Sequence, residues 1–492
     1  MLFQLWTAHY SYTGTIATIR DDFSFVRNHA YTYPYFADEW YHAGLIDSTL
    51  DRQAIPLQNP FIGAEDWFFN HEFLFHTFNA GIFSLLPDTL TAYVPIGMAM
   101  NTLLIICAYA FLRKLGITPL ISAITSAFLL HIPHAANMPS FWSYIPFTTG
   151  IILFIVFLGQ LHDAHTSWII LSAIAALLIY PPLLILIFPL LIIHVDDTHK
   201  QFLIRGTVLT STLLLIILSI AGTLSPLPLF RIFRGKLVFI NLIGAFSIRF
   251  LPFRVIPMIL LLFLAIGAKR LFSQDQHRPL RFCLIVLGSL WTFYQFTPVR
   301  LLLAHPRVVV LAAILVTIAG SIGLTALRDS LRQNCTSAQA SIIWGTIILL
   351  LIIALTTRAA RYTELNDWQG FYAYSTEGKN IILLPNPPAN RYLTAEDLSI
   401  FSNISESTFL APPWKGTTIG ITTGNRPVTA KSGTIALKGH VHYEFLKGNC
   451  SRKHQIAHED PFDYVYTSSF DCLGFLPLRS SSEGLTLYRY TG

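Results

Sequence analysis

Acidic residues are scarce in this chain of 492 residues, above all in the middle of its sequence. Of its 27 Asp and Glu residues, ten precede residue 89, five lie between residues 89 and 357, and twelve follow. No glutamate occurs in the middle stretch, and its five aspartates lie between the apolar runs rather than within them. Ion-coupled transporters place polar or ionisable groups near the middle of the membrane, so this absence argues against that class.

Long apolar runs, by contrast, are abundant. The chain is 53% hydrophobic and 12% charged, its mean hydropathy is positive, and it contains runs such as "TLLIICAYAFL", "GIILFIVFLG" and "ILLLFLAIG". About 20 apolar residues cross a bilayer as a helix, which satisfies its own backbone polar groups. The runs therefore predict a mainly α, polytopic helical membrane bundle rather than a barrel. The formal net charge of +6 then reflects Lys and Arg anchors at the membrane surfaces, not a nucleic-acid partner.

Three zones divide the sequence: an outer-face segment from 1 to 88, a transmembrane domain from 89 to 357, and a polar domain from 358 to 492. We predict about ten crossings, centred near residues 100, 126, 154, 173, 188, 214, 261, 289, 316 and 349. Pro181 and Pro182 interrupt the run that holds the fourth and fifth crossings. Two short antiparallel helices or one kinked helix would both explain this run, and we favour the two short helices.

Short basic loops indicate the orientation. Placing the loops at 113–116, 196–205, 268–281 and 328–333 in the cytosol gives a consistent alternation and leaves both polar ends outside. Basic residues also lie on the opposite side, between the sixth and seventh crossings and between the eighth and ninth, and these need another explanation. The first segment must be exported, although no crossing or cleavable signal precedes residue 88. We therefore expect that a first transmembrane helix is missing from the start of the sequence.

The polar domain alternates short β-rich runs with turn residues and has one helical stretch near "TAEDLSIFSNIS". The predicted strands are "NIILLP", "TTIGITTG", "GTIALKG", "FDYVYTS" and "LTLYRY". This length suffices for one small extracytoplasmic α/β domain. Since its sequence shows no Gly-rich phosphate loop, nucleophile elbow or metal-spaced Cys/His cluster, we expect it to serve as a lid or an acceptor platform.

One acidic motif stands out in the first zone. With this topology the transmembrane domain offers no acid on its outer side, so an outer-face carboxylate must come from the first 88 residues or from the tail. The stretch "ADEWYHAG", residues 37 to 44, sets Asp38 and Glu39 beside Trp40, Tyr41 and His42. One interpretation is an interfacial loop whose acids are held by aromatic packing. The other is a partly desolvated carboxylate beside a membrane cavity, suited to general-base catalysis.

A second acidic cluster lies in "GAEDWFFNHEFLFHTF", which contains Glu65, Asp66, His71, Glu72 and His76. Metal ligands on one helix face lie three or four residues apart, whereas His76 follows His71 by five. The spacing favours surface helix capping and interface anchoring over a metal site.

An outer acidic motif, a long membrane bundle and an extracytoplasmic α/β tail together resemble the C-type (GT-C) superfamily of integral-membrane glycosyltransferases. The adjacent acids of "ADEWYHAG" resemble the Asp-Glu motif in the first outer loop of protein O-mannosyltransferases and lipid A aminoarabinose transferases, the branch closest in motif. Asp38, Trp40 and Tyr41 also resemble the Asp-x-Trp-aromatic motif of oligosaccharyltransferases. That branch carries further acids in its second outer loop and a Trp-Trp-Asp motif, whereas "PHAANMPSFWSYIP" has no acid and "DWQGFY" is not that motif. The resemblance thus implies a metal-independent enzyme with no cofactor, rather than asparagine-linked transfer.

The resemblance also implies roles for individual residues. The donor is a polyprenyl-phosphate sugar and the acceptor a glycan, a lipid or a protein; Asp38 deprotonates the acceptor hydroxyl and Glu39 supports its orientation. The implied substrate-binding residues are His42, Arg300, Arg231, Arg234, Lys236 and His134. The cations would stabilise a lipid-phosphate leaving group, which gains negative charge as the glycosidic bond breaks. Arg300 is the first choice among them, because it follows a crossing and lies where related proteins place an outer-loop Arg. The alternative role of the basic residues is to anchor an interfacial segment to anionic lipid. The alternative role of His131 and His134 is to form hydrogen bonds with backbone carbonyls.

The same resemblance implies a multi-pass protein of a bacterial or archaeal cell membrane with its C-terminal domain outside. In that domain Cys450 and Cys472 form either a disulfide or two free thiols. Two other function classes stay open: a transporter or flippase for a lipid-linked solute, and a non-catalytic membrane assembly protein, which would tolerate the loss of Asp38.

Overall fold

A computed structural model gives the fold. It describes residues 37–55, 72–86, 88–130, 132, 144–163, 165–194, 239–240, 258–296, 299–300, 303, 305–361, 371–375, 381–385, 393–432 and 435–492. The chain forms two compact units, one around Gly97–Tyr362 and the other from Trp6–Ile96 with Thr363–Gly492. The predicted domain boundaries at 88 and 357 stay predictions.

The helices of the described residues are α1 (Ala37–Arg52), α2 (Phe73–Phe83), α3 (Thr89–Lys114), α4 (Pro119–Leu129), α5 (Pro146–Asp163), α6 (Thr166–Ile179), α7 (Leu184–His194), α8 (Met258–Ser273), α9 (Arg278–Phe296), α10 (His305–Asn334), α11 (Ser337–Arg361), α12 (Ala395–Phe401), α13 (Pro413–Thr423), α14 (Gly439–Lys447) and α15 (Cys450–Glu459). The strands are β1 (Phe239–Ile240), β2 (Val299–Arg300), β3 (Phe371–Ser375), β4 (Ile381–Pro385), β5 (Thr408–Leu410), β6 (Arg426–Pro427), β7 (Ala430–Ser432), β8 (Ile435–Leu437), β9 (Tyr464–Ser468), β10 (Phe475–Ser480) and β11 (Leu485–Tyr490).

The first unit is the apolar, helical one. Nine of the ten predicted crossing centres lie in helices of this unit, and the tenth, near residue 214, lies outside the described residues. Among the described residues, three stretches are long and apolar enough to cross a membrane: Ala92–Lys114, Arg307–Asn334 and Ser337–Thr356. A mainly helical fold with apolar helices is therefore confirmed, while the number of crossings and their orientation stay predictions.

Helix α10 lies at the centre of this unit, where it contacts α4, α8, α9 and α11. Its membrane-length segment is almost wholly buried, whereas that of α11 is almost wholly exposed. Small residues bring α8 and α10 close together, because a Cβ atom at Gly323 would overlap the backbone carbonyl of Phe263, and one at Gly267 would lie 2.6 Å from the Cα of Gly323. Large apolar side chains on the outside of the unit, such as Ile106, Trp168, Leu262 and Ile342, are exposed, as lipid-facing residues are in membrane bundles.

Pro181 and Pro182 separate two short helices, as the sequence predicts. Helix α6 ends at Ile179, Pro181–Leu183 forms one 3₁₀ turn, and α7 begins at Leu184. A proline within a continuing helix would lack one N–H donor and clash with the preceding turn. The run therefore forms two helices, one on each side of the proline pair.

The second unit holds two sheets. The larger has the strand order β10-β11-β9-β5-β6; its β10-β11-β9 part is antiparallel, and β5 is parallel to both β9 and β6. The smaller has the order β4-β3-β8-β7. Phe445, Ile456, Val465 and Tyr488 belong to one buried cluster that joins α14 and α15 to the larger sheet. The predicted α/β character of the tail is confirmed by these elements.

One strand prediction is wrong, since "TTIGITTG" lies in helix α13 and not in a strand. The β-branched residues favour a strand, but that preference is weak against tertiary contacts. Gly416 and Gly420 lie four apart on one helix face, and a Cβ at Gly416 would overlap the carbonyl of Thr429. This face therefore packs closely on the chain that follows, and Gly424 ends the helix in a left-handed conformation, with φ at 70°.

Candidate functional site

The acidic motif "ADEWYHAG" opens helix α1. The interpretation as a loop is therefore wrong at this point, because Asp38 and Glu39 lie in a helix. Arg52 lies in the last turn, where a cation complements the negative end of the helix dipole. The helix is buried on much of its circumference, where Trp40, Ala43, Leu45 and Ile46 have no exposed surface. Burial of this apolar surface is what specifies a helix here.

Helix α1 packs on the C-terminal domain within the second unit. It contacts α13 and β7, and Tyr41 and Leu45 form a buried cluster with Ile421 and Ala430. It also contacts α2. The acidic segment and the tail therefore share part of one core, although more than 300 residues of sequence separate them.

Buried polar side chains gather where α1 meets α2. Glu39 and His42, three residues apart on α1, are 4% and 6% exposed, and His76 and Asn79 on α2 have no exposed surface. The Nδ1 atom of His42 lies 2.8 Å from the Nε2 atom of His76, and the two rings stack with their centroids 5.1 Å apart. The Asn79 side chain donates to the carbonyl of Phe75, whose ring meets the edge of His42. The prediction of surface capping is thus wrong for His76, because α2 turns this residue toward α1.

The His42–His76 pair does not by itself make a metal site. In the described part of the chain, no third His, Cys, Asp or Glu ligand atom joins these two imidazoles within 4.8 Å of both. Three protein ligands are the usual minimum for a bound zinc ion. The two imidazoles alone therefore do not complete a zinc site.

A further carboxylate on α1, Asp47, has an altered acidity. Burial raises the pKa of Asp47, and the neighbouring charge of Asp51 raises it further, while a hydrogen bond from Thr89 acts in the opposite direction. Such a carboxyl group holds a proton more readily than an exposed one. Asp47 lies about two turns after the acidic motif, and its raised pKa could not be predicted from the sequence.

A buried ion network supports α13, the helix on which α1 rests. Lys415 of α13 pairs with Asp397 of α12 and, at 2.9 Å, with Glu483. Asp397 also accepts from the Tyr466 hydroxyl at 2.8 Å and from the backbone of Thr394 at 2.7 Å, which completes a capping box for α12. Burial, followed by the charge of Asp397, raises the pKa of Tyr466. Sequence reasoning missed this network because its members come from four separate segments.

The structure describes only some of the other predicted site residues. Arg300 lies in β2, where it pairs with Phe239 of β1 in antiparallel register, and its side chain is not among those described. The same holds for the side chain of Asp38. The remaining predicted residues lie outside the described residues: Arg231, Arg234, Lys236, His131 and His134. Their proposed roles stay predictions.

Comparisons with known proteins identify the fold. No protein-family model matches the chain, and no curated protein matches its sequence. Solved structures do match it. The apo oligosaccharyltransferase of the archaeon Archaeoglobus fulgidus has a TM-score of 0.54 with 11% sequence identity, over 99% of this chain and 74% of that one. The chain therefore has the fold of this oligosaccharyltransferase.

Two further structures of the archaeal oligosaccharyltransferase agree with this result. The complex of AglB from Archaeoglobus fulgidus with an inhibitory peptide and a dolichol-phosphate has a TM-score of 0.54 and 12% identity, over 95% of this chain and 69% of that one. The complex with Zn and sulfate has a TM-score of 0.51 and 12% identity, over 99% and 73%. At this identity the likeness is one of fold. The predicted resemblance is confirmed as a likeness of fold to these oligosaccharyltransferases, and the branch stays open.

Proposed function

We propose that this protein is a membrane glycosyltransferase that takes a sugar from a polyprenyl-phosphate-linked donor and transfers it to an extracytoplasmic acceptor. The observation that carries the proposal is the helix that Asp38 and Glu39 open, because it is packed into the core of a chain with the oligosaccharyltransferase fold. Motif and fold thus point to the same class, and each does so independently of the other.

The proposed reaction is a displacement at the anomeric carbon of the sugar. The acceptor oxygen forms a bond to this carbon, the bond from the carbon to the phosphate oxygen breaks, and the polyprenyl phosphate leaves with the bonding electrons. Asp38 takes the proton of the acceptor hydroxyl. General-base catalysis of this kind requires the carboxylate of Asp38 to be ionised when the acceptor binds.

Burial gives Glu39 and His42 supporting roles. Glu39 is 4% exposed and His42 is 6% exposed, so their side chains have little freedom. We assign Glu39 to the orientation of the catalytic end of α1, and His42, fixed by its contact with His76, to the wall of the substrate site. Reactive groups held in one geometry lower the entropic part of the barrier.

Cations are assigned to the leaving group. Arg300 is the first choice, with Arg231, Arg234 and Lys236 as further candidates, because fixed positive charge stabilises a phosphate that gains negative charge in the transition state. Arg300 has a defined backbone position, since β2 pairs with β1. This role would explain why basic residues also lie opposite the loops that are predicted to be cytosolic.

The C-terminal domain is assigned to the acceptor. Its helix α13 and strand β7 pack directly on α1, so the domain lies beside the helix that carries the proposed base. The archaeal neighbours have been solved with an inhibitory peptide and with an acceptor peptide that contains the NVT sequon. Among the predicted acceptors, a glycan, a lipid or a protein, these complexes favour a peptide segment of a protein for this chain.

The proposal is tested with the purified full chain in lipid nanodiscs. The protein is supplied with labelled polyprenyl-phosphate and polyprenyl-diphosphate sugars and with peptide, glycan and lipid acceptors in turn. We expect label to move from the lipid to one acceptor class in a time-dependent manner. Movement of the intact labelled lipid between leaflets of liposomes, without transfer, would identify a flippase instead. A folded protein that shows neither activity would support the assembly role.

A further inference from the structure

The sequence contains three Asn-x-Ser/Thr triplets that the proposed function does not use. They are Asn334-Cys335-Thr336, Asn403-Ile404-Ser405 and Asn449-Cys450-Ser451. Such a triplet, with no proline in the middle, is the acceptor signal for asparagine-linked glycans, which are attached at the surface of exported proteins. Since so short a signal also occurs by chance, the structure has to decide which of the three triplets can react.

A transferase that recognises the triplet has to contact the first and the third side chain together. In extended backbone, residues i and i+2 lie on the same face, whereas on an α-helix they do not face each other. A reactive triplet therefore lies outside the helices. Its first and third side chains are accessible, and its asparagine amide is not engaged in another hydrogen bond.

The triplet at Asn334 does not meet these conditions. Asn334 is the last residue of α10, and its amide donates to the carbonyl of Ser330 at 2.9 Å. The hydroxyl of Thr336 accepts from the backbone N–H of Gln339 at 3.4 Å, in the first turn of α11. Both side chains are thus engaged at helix ends. The triplet also directly follows the basic loop at 328–333, which is predicted to lie in the cytosol.

The triplet at Asn449 does not meet them either. Asn449 caps α15, because its side-chain oxygen accepts from the backbone N–H of Arg452 at 3.0 Å. The second and third residues of this triplet lie in α15 itself. Cys450, the second residue, forms a disulfide with Cys472, which also decides the pairing that the sequence left open. Helix, cap and disulfide together hold this triplet in a helical conformation.

The triplet at Asn403 meets all of the conditions. Helix α12 ends at Phe401, and Ile404 and Ser405 lie in neither a helix nor a strand. The side chains of Asn403 and Ser405 are both exposed. Within the described residues, no hydrogen bond engages the amide of Asn403. Its nitrogen is therefore accessible to a second molecule.

A buried asparagine fixes the loop that carries this triplet. The amide of Asn425 donates to the carbonyl of Ile404 at 2.9 Å, and its side-chain oxygen accepts from the backbone N–H of Ser407 at 3.1 Å. Between these two contacts, Glu406 has a φ of 51°, which is uncommon for a residue with a side chain. Such a backbone conformation persists only where the surrounding contacts enforce it. The triplet is therefore held at the surface in one conformation.

We propose that Asn403 is a site of asparagine-linked glycosylation, with a polyprenyl-linked saccharide as the donor. The amide nitrogen of Asn403 forms a bond to the anomeric carbon of the first sugar. The bond from this carbon to the phosphate oxygen breaks, the lipid phosphate leaves with the bonding electrons, and the amide loses one proton to a base of the transferase. Any asparagine-specific transferase of the same membrane can carry out this step, so the proposal does not depend on the activity proposed for this chain.

The test uses the full chain, purified from the membranes of the cells that naturally produce it. Trypsin cleaves after Arg391 and Lys415, so residues 392–415 form one peptide that contains the Asn403 triplet alone. We expect mass spectrometry to find this peptide with the added mass of a saccharide, and fragment ions to locate the saccharide on Asn403. The peptide of residues 448–452, which contains Asn449, should be found without a saccharide.

Two serine variants separate recognition of the triplet from mere exposure of the asparagine. Ser405→Ala keeps Asn403 but removes the third residue of the triplet, and it should lose the modification. Ser402→Ala changes an exposed serine beside Asn403 and should be modified as the wild type is. An unmodified 392–415 peptide from the wild type would overturn the proposal. Equal modification of Ser405→Ala and the wild type, or of Asn449 and Asn403, would overturn it as well.

Discussion

The Nδ1 atom of His42 lies 2.8 Å from the Nε2 atom of His76, and both rings are buried. At this separation the two atoms form a hydrogen bond, in which one nitrogen is protonated and donates and the other accepts. The contact joins the helix that begins with the acidic motif to the helix that follows it. It links the buried faces of α1 and α2.

This pairing predicts a non-additive double-mutant cycle. His42→Phe or His76→Phe leaves the other imidazole buried without this hydrogen bond, which costs about 1–3 kcal/mol, whereas replacing both removes the polar pair together. We expect hydrogen exchange in α1 and α2 to accelerate in each single variant and to recover partly in the double variant. Phe78→Leu, at an exposed position on α2, is the control and should change little. Additive effects would show that the pair contributes no coupling.

Lys415 should contribute far more to the stability of the C-terminal domain than an exposed lysine of the same domain does. Lys415→Met leaves the buried carboxylate of Asp397 without its cation, and breaking a buried pair in this way costs about 3–5 kcal/mol. Lys438→Met breaks a 3.0 Å pair with Asp460 whose lysine is 42% exposed, and exposed pairs contribute at most about 1 kcal/mol. Limited proteolysis of the tail should therefore separate the two variants clearly. Equal resistance to protease would contradict a stabilising role for the buried network.

The C-terminal domain should lose stability in mild acid. Burial lowers the pKa of His442 to about 3, and its Nε2 lies 3.2 Å from the hydroxyl of Thr467. The unfolded chain binds a proton at this residue below about pH 6.5 and the folded chain does not. The contribution of His442 to stability is therefore complete above about pH 6.5 and declines as the pH falls from there toward 3.

The measurement is hydrogen exchange of residues 439–468 at pH 7.5 and pH 5, corrected for the intrinsic exchange rate. His442→Gln removes the titrating group and should make the stability of this region less dependent on pH. His458→Gln, at an exposed position on α15, should leave the pH dependence as it is in the parent. A parent region that is equally protected at both pH values would refute the role of His442.

Composition and periodicity predicted the membrane unit well. The helices around nine of the ten predicted crossing centres follow from runs of apolar residues, and the break at Pro181 and Pro182 follows from the missing N–H and the fixed φ of proline. These are local properties of the chain. The likeness in fold to oligosaccharyltransferases could be anticipated from the order of acidic motif, bundle and tail, and the solved structures confirm it.

Residues whose state depends on distant contacts were predicted poorly. The β-branched residues of α13 predict a strand. The sequence does not show the close approach of Gly416 to Thr429, which favours the helix. The sequence predicts His76 to be a surface residue, because the local sequence does not show that α2 packs against α1. The pairing of Lys415 with Asp397 also depends on the tertiary fold.

The central claim is that Asp38 accepts the proton of the acceptor. The most direct measurement is the single-turnover rate of sugar transfer from a polyprenyl-phosphate donor by the wild type and by Asp38→Asn, in nanodiscs and with saturating acceptor. Asp51→Asn, an exposed acid on the same helix, is the matched control. The account predicts that Asp38→Asn loses about 10²- to 10⁴-fold in rate while Asp51→Asn keeps the wild-type rate. Transfer by Asp38→Asn at the wild-type rate would contradict it.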